Sequence, residues 1–128
     1  MEQAIMKFER ELLKGIAPVV VLEILSRGRM YGYELGDAID QSSDNILNLG
    51  RGTLYPLLYN LEAKGLVQAD WQESESGRRR RYYEITSKGR EKLANQKEQW
   101  EQLQTGVNRI FGLLRSAKYP QTGKLLSQ

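Results

Sequence analysis

The 128-residue chain contains no cysteine and no histidine. Without cysteine there is no disulfide, no thiolate nucleophile and no cysteine-held metal. Without histidine, the commonest general base and metal ligand near neutral pH is also missing. Paired carboxylates such as Asp37 and Asp40 are the remaining enzymatic option, and they come with no cleft signature and no cofactor motif. We therefore expect no enzyme, no cofactor and no metal. Long apolar runs are scarce too. The longest, Ile16 to Leu25, contains Pro18 and Glu23 and falls well short of the roughly 20 residues that span a bilayer. No secretory leader is read, so we expect a soluble, cytoplasmic protein with no membrane partner. The apolar fraction of 40% suffices for one domain core but leaves little surplus in so short a chain, and a partner subunit would help.

The net charge of +3 is modest but unevenly placed: residues 1–73 hold 7 basic and 11 acidic side chains, and residues 74–128 hold 12 and 5. Such asymmetry predicts a localised basic surface.

From the N-terminus, residues 1–14 read as a helix with an apolar stripe at Ile5, Phe8 and Leu12. They are either a frayed end or an arm that packs on a second subunit. Gly15 is expected to interrupt this helix. A second, central helix is expected near Ala17, with Pro18 in its first turn, ending at Ser26-Arg27-Gly28. A third starts in Tyr31-Gly32-Tyr33-Glu34-Leu35, with Leu35, Ala38 and Ile39 facing inward. Gln41 to Asn45 is a turn cluster, and Ile46 to Leu49 suits at most a bridge strand.

Leu54, Leu57, Leu58 and Leu61 recur at i, i+3, i+4 and i+7, the pattern of a helix with one buried face. The opposite face holds Gly52, Pro56, Tyr59 and Ala63, flanked by Thr53, Tyr55 and Asn60. No carboxylate stands there before Glu62, so this face suits a polyanion. Gly65 ends the helix. Two short helices joined by a turn, the second with a clean exposed face, predict a helix-turn-helix.

Leu66 to Glu73 and Arg78 to Thr86 read as two strands around the turn Ser74-Glu75-Ser76-Gly77, with Tyr83 and Ile85 on one face and Tyr82 and Glu84 on the other. The hairpin is a wing, and Arg78, Arg79, Arg80 and Arg81 stand at its tip. Such a run is often only a solvated loop; beside a helix-turn-helix it becomes a phosphate-neutralising or minor-groove element. Thr86 is the expected N-cap of a last helix running from about Ser87 towards Ala117, roughly 45 Å at 1.5 Å per residue. Leu93, Trp100, Leu103, Val107, Ile110, Leu114 and Ala117 form an a/d seam along it, with Gln96 as the polar member. The seam packs either on residues 1–27 or on a second chain, and we favour the second.

The sequence resembles the PadR family of bacterial winged-helix transcriptional regulators. The resemblance rests on Leu12-Leu13-Lys14-Gly15, Tyr31-Gly32-Tyr33-Glu34-Leu35, Gly52-Thr53-Leu54-Tyr55-Pro56-Leu57-Leu58, Leu61-Glu62, Lys64-Gly65-Leu66-Val67, Trp71, Glu73-Ser74, Arg80-Arg81-Tyr82-Tyr83, Ile85-Thr86, Gly89-Arg90 and Leu93. It spans about residues 11–115, and the single last helix looks like the smaller subfamily. Tyr31 departs from the histidine found in many relatives. The resemblance implies a homodimer on inverted-repeat operators in double-stranded DNA, usually a repressor of a nearby gene. Carried over by position, Tyr33, Gly52, Thr53, Tyr55, Pro56 and Arg78 to Arg81 are expected to bind DNA; Arg51 and Tyr59, at the start and on the exposed face of the same helix, complete the expected DNA-binding set. Pro56 either contacts a thymine methyl or only shapes the helix. In multidrug-responsive members a tryptophan at the position of Trp100 stacks on flat ligands. Here it is either a seam residue or, with Gln96, the contact for a small aromatic effector.

The expected fold is mainly α with a small β wing: a winged helix-turn-helix domain with an N-terminal helical arm over residues 1–86, a C-terminal dimerisation helix over 87–118 and a flexible tail over 119–128. The dimer interface is expected at Phe8, Leu12, Leu93, Trp100, Leu103, Val107, Ile110 and Leu114. The rival reading is a ligand-sensing or protein-interaction module that does not read DNA, against which the intact arginine run stands.

Overall fold

The structure, a computed structural model, describes residues 7–113. Its elements are α1 (Arg10–Leu25), β1 (Met30–Tyr31), α2 (Gly32–Ser42), α3 (Arg51–Ala63), β2 (Val67–Glu73), β3 (Arg79–Ile85) and α4 (Ser87–Phe111). β3 lies between β1 and β2 in a three-stranded antiparallel sheet. This is a mainly α winged helix-turn-helix followed by a long helix. The chain divides into two units between Ala94 and Asn95.

Gly15 does not interrupt the first helix, contrary to the sequence expectation. α1 runs unbroken through Gly15 and Pro18. An interior glycine costs about 1 kcal/mol relative to alanine. Pro18 removes the bond its N–H would give to the Lys14 carbonyl, at about 3 kcal/mol. Burial of Ala17, Val21, Leu22, Ile24 and Leu25 in the core outweighs both, since a fully buried aliphatic side chain contributes roughly 1.5–3 kcal/mol. Residues 7–9 precede the helix, and Ile5 lies outside the described residues.

α2 buries Leu35 and Ile39, and Glu34 in its first turn accepts the Tyr31 N–H at 3.3 Å. Its end is closed by Asp44 and Asn45, both left-handed at φ 53° and 63°. The Asn45 N–H reaches the Asp40 carbonyl at 2.7 Å and the Asp44 N–H reaches that of Gln41 at 3.2 Å. This is a Schellman arrangement with Asp and Asn, the side chains that best tolerate this conformation, in place of glycine. The Ser43 hydroxyl then accepts the Leu47 N–H at 2.9 Å. With its backbone committed to this turn, Ile46 to Leu49 forms no bridge strand. The third strand is instead Met30–Tyr31, paired with Tyr83 and Tyr82.

α3 ends in a second Schellman motif. Gly65 is left-handed at φ 76°, its N–H meets the Glu62 carbonyl at 2.9 Å and the Leu66 N–H meets that of Leu61 at 2.9 Å. Leu61 and Leu66 are both in the core, the apolar contact that accompanies this motif. The bend is clamped from the other side by the start of α4. The Thr86 N–H donates to the Leu66 carbonyl at 3.1 Å. The Thr86 hydroxyl donates to the Gly65 carbonyl at 2.7 Å and accepts the Gly89 N–H at 3.0 Å, capping α4 as expected. A Cβ at position 89 would run into the Leu66 carbonyl oxygen. The Thr-x-x-Gly spacing thus lets α4 start directly on the bend.

The core joins α1, α2 and α3 to Leu66, Val67, Tyr83, Ile85 and Leu93. Leu93 corrects the expected seam: it is 7% exposed within the winged-helix unit, because the first turns of α4 belong to that unit. α4 also stops earlier than expected. Gly112 turns left-handed at φ 73°, and the Leu113 N–H closes on the Asn108 carbonyl at 2.8 Å, so the helix ends at Phe111. Leu114, Ala117 and the expected tail lie outside the described residues.

Gly89→Ala is expected to destabilise the protein by about 1–3 kcal/mol, since its methyl meets backbone that cannot move away cheaply. Thermal melting should show a midpoint several degrees lower. An unchanged midpoint would contradict the clamp.

Candidate nucleic-acid interface

α3 is held by one face only. Leu54, Leu58 and Leu61 are at most 2% exposed and Leu57 is half-buried. Arg51, Gly52, Thr53, Pro56, Tyr59 and Asn60 are exposed. The expected reading face is therefore open along the first two turns. Gly50 caps the helix without a side-chain bond, and among the described residues nothing lies within 4 Å of a Cβ placed on Gly52, so the helix start is open to a ligand. Pro56 cannot donate to the Gly52 carbonyl, but only a turn precedes it and α3 continues. The Arg51 guanidinium lies 4.5 Å from the ring centroid of Tyr33. That contact ties the start of α3 to the exposed first turn of α2.

Tyr55 differs from its neighbours. It is half-buried against the core, with its ring 6.5 Å from that of Tyr59. A Cβ on Gly32 would lie 2.5 Å from its hydroxyl and 2.6 Å from a ring carbon. The glycine of Tyr-Gly-Tyr and the tyrosine of Gly-Thr-Leu-Tyr-Pro are thus two halves of one contact, which packs the N-terminus of α2 on α3.

The four arginines of the wing do not act as a block. The β2–β3 register sets Glu73 opposite Arg79, Gln72 opposite Arg80, Trp71 opposite Arg81 and Asp70 opposite Tyr82. Strand alternation puts Arg79 and Arg81 on the face of Tyr83 and Ile85, and Arg80 on the face of Tyr82. Arg78 and Arg79 are exposed. Arg79 lies 5.5 Å from the Trp71 ring centroid, and Arg80 lies 4.4 Å from that of Tyr31. Arg81 turns inward and pairs with Glu62 of α3 at 2.7 Å. Burial lifts the neighbouring Tyr83 phenol above its ordinary pKa, against the opposing pull of Arg81.

The sequence reading missed three members of this surface. Arg29 lies 5.4 Å from the Tyr82 ring centroid and 3.8 Å from the Asp70 carboxylate. Tyr31 meets Tyr82 edge-on at 5.5 Å. Trp71 is 54% exposed beside Arg79. Strand alternation applied to the arginine run signals the split between its members; nothing local signals Arg29, which precedes a strand of two residues.

The expected interface residues of the second unit are exposed in the single chain: Trp100 at 42%, Leu103 at 61%, Val107 at 37% and Ile110 at 84%. Gln96 is half-buried. In the first unit Leu12 is exposed and Phe8 half-buried. Asp40, one of the carboxylates considered for catalysis, has its pKa raised by burial and then by Asp37. Among the described residues no group of three or more His, Cys, Asp or Glu could hold a metal, and no helix is long and apolar enough to cross a membrane.

The profile of the transcriptional regulator PadR-like family matches residues 21–95. A solved transcriptional regulator from Clostridium thermocellum is 28% identical, with 77% of this chain and 96% of that chain covered and a TM-score of 0.72. A PadR-like transcriptional regulator from Bacillus cereus is 33% identical over 79% of this chain and 96% of its own, with a TM-score of 0.68. A PadR family regulator from Eggerthella lenta is 34% identical over 79% and 86%, with a TM-score of 0.67.

In a double-mutant cycle, Gly32→Ala should cost about 1–3 kcal/mol when Tyr55 is present and much less beside Tyr55→Ala. Equal costs in both backgrounds would show that the ring is not what the glycine accommodates.

Proposed function

Because the chain belongs to the PadR-like family of transcriptional regulators, we propose that it is a homodimeric, sequence-specific DNA-binding repressor of a nearby gene. The main support is the division of α3 into a face sealed by leucines and a face left open beside the arginine wing. Arg51, Gly52, Thr53, Pro56 and Tyr59 enter the major groove, with Tyr33 at the backbone and Tyr55 setting the approach of α2. Base edges in that groove distinguish all four base pairs. Arg78, Arg79 and Arg80 neutralise flanking phosphates and release counterions, which supplies affinity without sequence information.

A second copy of this chain covers the stripe of Trp100, Leu103, Val107 and Ile110. Its spacing of three, four and three residues is that of a helix–helix seam, and a helix this apolar on one side is unfavourable in water when unpartnered. In the first unit, Phe8 and Leu12 are further contacts with a second copy. Trp100, one turn after Gln96, offers it a flat surface for a small aromatic effector. Two α3 helices fixed at one distance then read an inverted repeat.

The test is an anisotropy titration on fragments selected from the source genome and on random duplex, over a range of salt. The wild type should prefer selected fragments. Replacing Arg78, Arg79 and Arg80 by Gln should flatten the log–log salt dependence by about 0.9 per lost phosphate contact. Leu103→Asp should sediment as a monomer and lose the preference for inverted repeats. A wild type with no preferred fragment, an unchanged slope or a dimeric Leu103→Asp contradicts the corresponding part.

A further inference from the structure

The geometry points to Arg81 and Glu62 as positioning residues: an ion pair that ties the wing to the end of the recognition helix, and not a fourth phosphate contact of the arginine run. The inference rests on the DNA-binding reading above and assigns work within that interface.

Arg81 stands on the core-facing side of β3, two residues before buried Tyr83. Its guanidinium reaches the Glu62 carboxylate at 2.7 Å, and the two side chains are only 35% and 32% exposed. Its carbon also lies 5.8 Å from the Tyr83 ring centroid, and its Nε is buried with no hydrogen-bond partner among the described residues. A cation bound for phosphate would keep its donors in solvent. This one has turned Nη2 and Nε towards the protein, and Glu62 already balances its charge. Counterion release needs an arginine that meets a phosphate, so the pair should add nothing to the salt slope.

Its placement suits a tie. The hairpin is fixed at its base, where Thr86 and Gly89 clamp the Gly65–Leu66 bend. Arg81 lies four residues along β3 from Ile85, about 14 Å from that base at roughly 3.4 Å per residue. A contact this far out resists rotation of the wing much better than one at the base does. Glu62 sits in the last turn of α3, so the wing is referenced to the very helix whose exposed face reads the groove. The tip arginines and the reading face then arrive at the duplex in one fixed relation, and ordering them costs less on binding.

Salt-dependent anisotropy on a preferred fragment separates the two roles, with thermal melts confirming that each variant is folded. Arg81→Gln and Glu62→Gln should each weaken binding roughly fivefold, the scale of a partly exposed pair, with the salt slope unchanged. Arg79→Gln should lower the slope by about 0.9. Arg81→Lys, which keeps the ion pair, should recover most of the affinity, as should the exchanged pair Glu62→Arg with Arg81→Glu. Glu62→Gln is decisive in sign: losing a carboxylate beside DNA should tighten binding if charge alone mattered, and should weaken it if the pair sets the wing. Tighter binding with a steeper slope in Glu62→Gln, a slope lowered by Arg81→Gln, or no change in either variant overturns the inference and leaves the DNA-binding reading intact. A wild type that binds no duplex overturns both.

Discussion

A helix that shows one whole face to a ligand has to be held entirely by the other. This constraint governs the winged-helix unit. α3 has 13 residues, a length at which an isolated helix is marginal in water. Its stability therefore comes from Leu54, Leu58 and Leu61 in a core that α1 and α2 complete. α1 supplies the apolar centre, and α2 is brought close enough by Gly32, whose missing side chain admits the Tyr55 ring. The open face is free to be glycine, threonine, proline and tyrosine because the leucine face supplies the core contacts.

The second requirement is that the wing keep a fixed relation to that face. Three contacts of different kinds provide it. The left-handed Gly65 turns the chain out of α3. The Thr86 hydroxyl, used as donor and acceptor at once, fastens the turn to the start of α4. The Glu62–Arg81 pair holds the hairpin further out. The first consists of backbone geometry, the second of a side-chain hydroxyl bonded to backbone groups and the third of side-chain charge, so variants can address them separately.

Much of this was legible in the sequence. The stripe on α3, the glycine that ends it, the hairpin alternation and the Thr86 cap are local signals with fixed spacing, and each matches the structure. The failures share one cause, which is that distant residues decided the outcome. Gly15 and Pro18 are local breakers, yet burial of residues 17–25 keeps α1 whole. Met30–Tyr31 is too short to show a period and exists because β3 offers it an edge. Arg81 looks like its neighbours until its partner, 19 residues earlier, is known. Leu93 fits the heptad seam by spacing but packs in the core, since Gly89 brings the start of α4 against Leu66. The end of α4 was misplaced because apolar residues continue past Gly112, whose left-handed turn outweighs them.

The exposed stripe on α4 and the open face of α3 enter the proposed function together: in that proposal a second copy of the chain covers the stripe, and the open face is thereby duplicated. A two-fold pair of reading heads would leave a two-fold mark on its target. Hydroxyl-radical footprinting of the protein on a selected genomic fragment is the most direct measurement of this account. It predicts two protected half-sites in an inverted repeat, with centres about 10 base pairs or a multiple of that apart and protection extending outward where the wings lie. A single unsymmetrical footprint, or uniform protection without a preferred sequence, would contradict it.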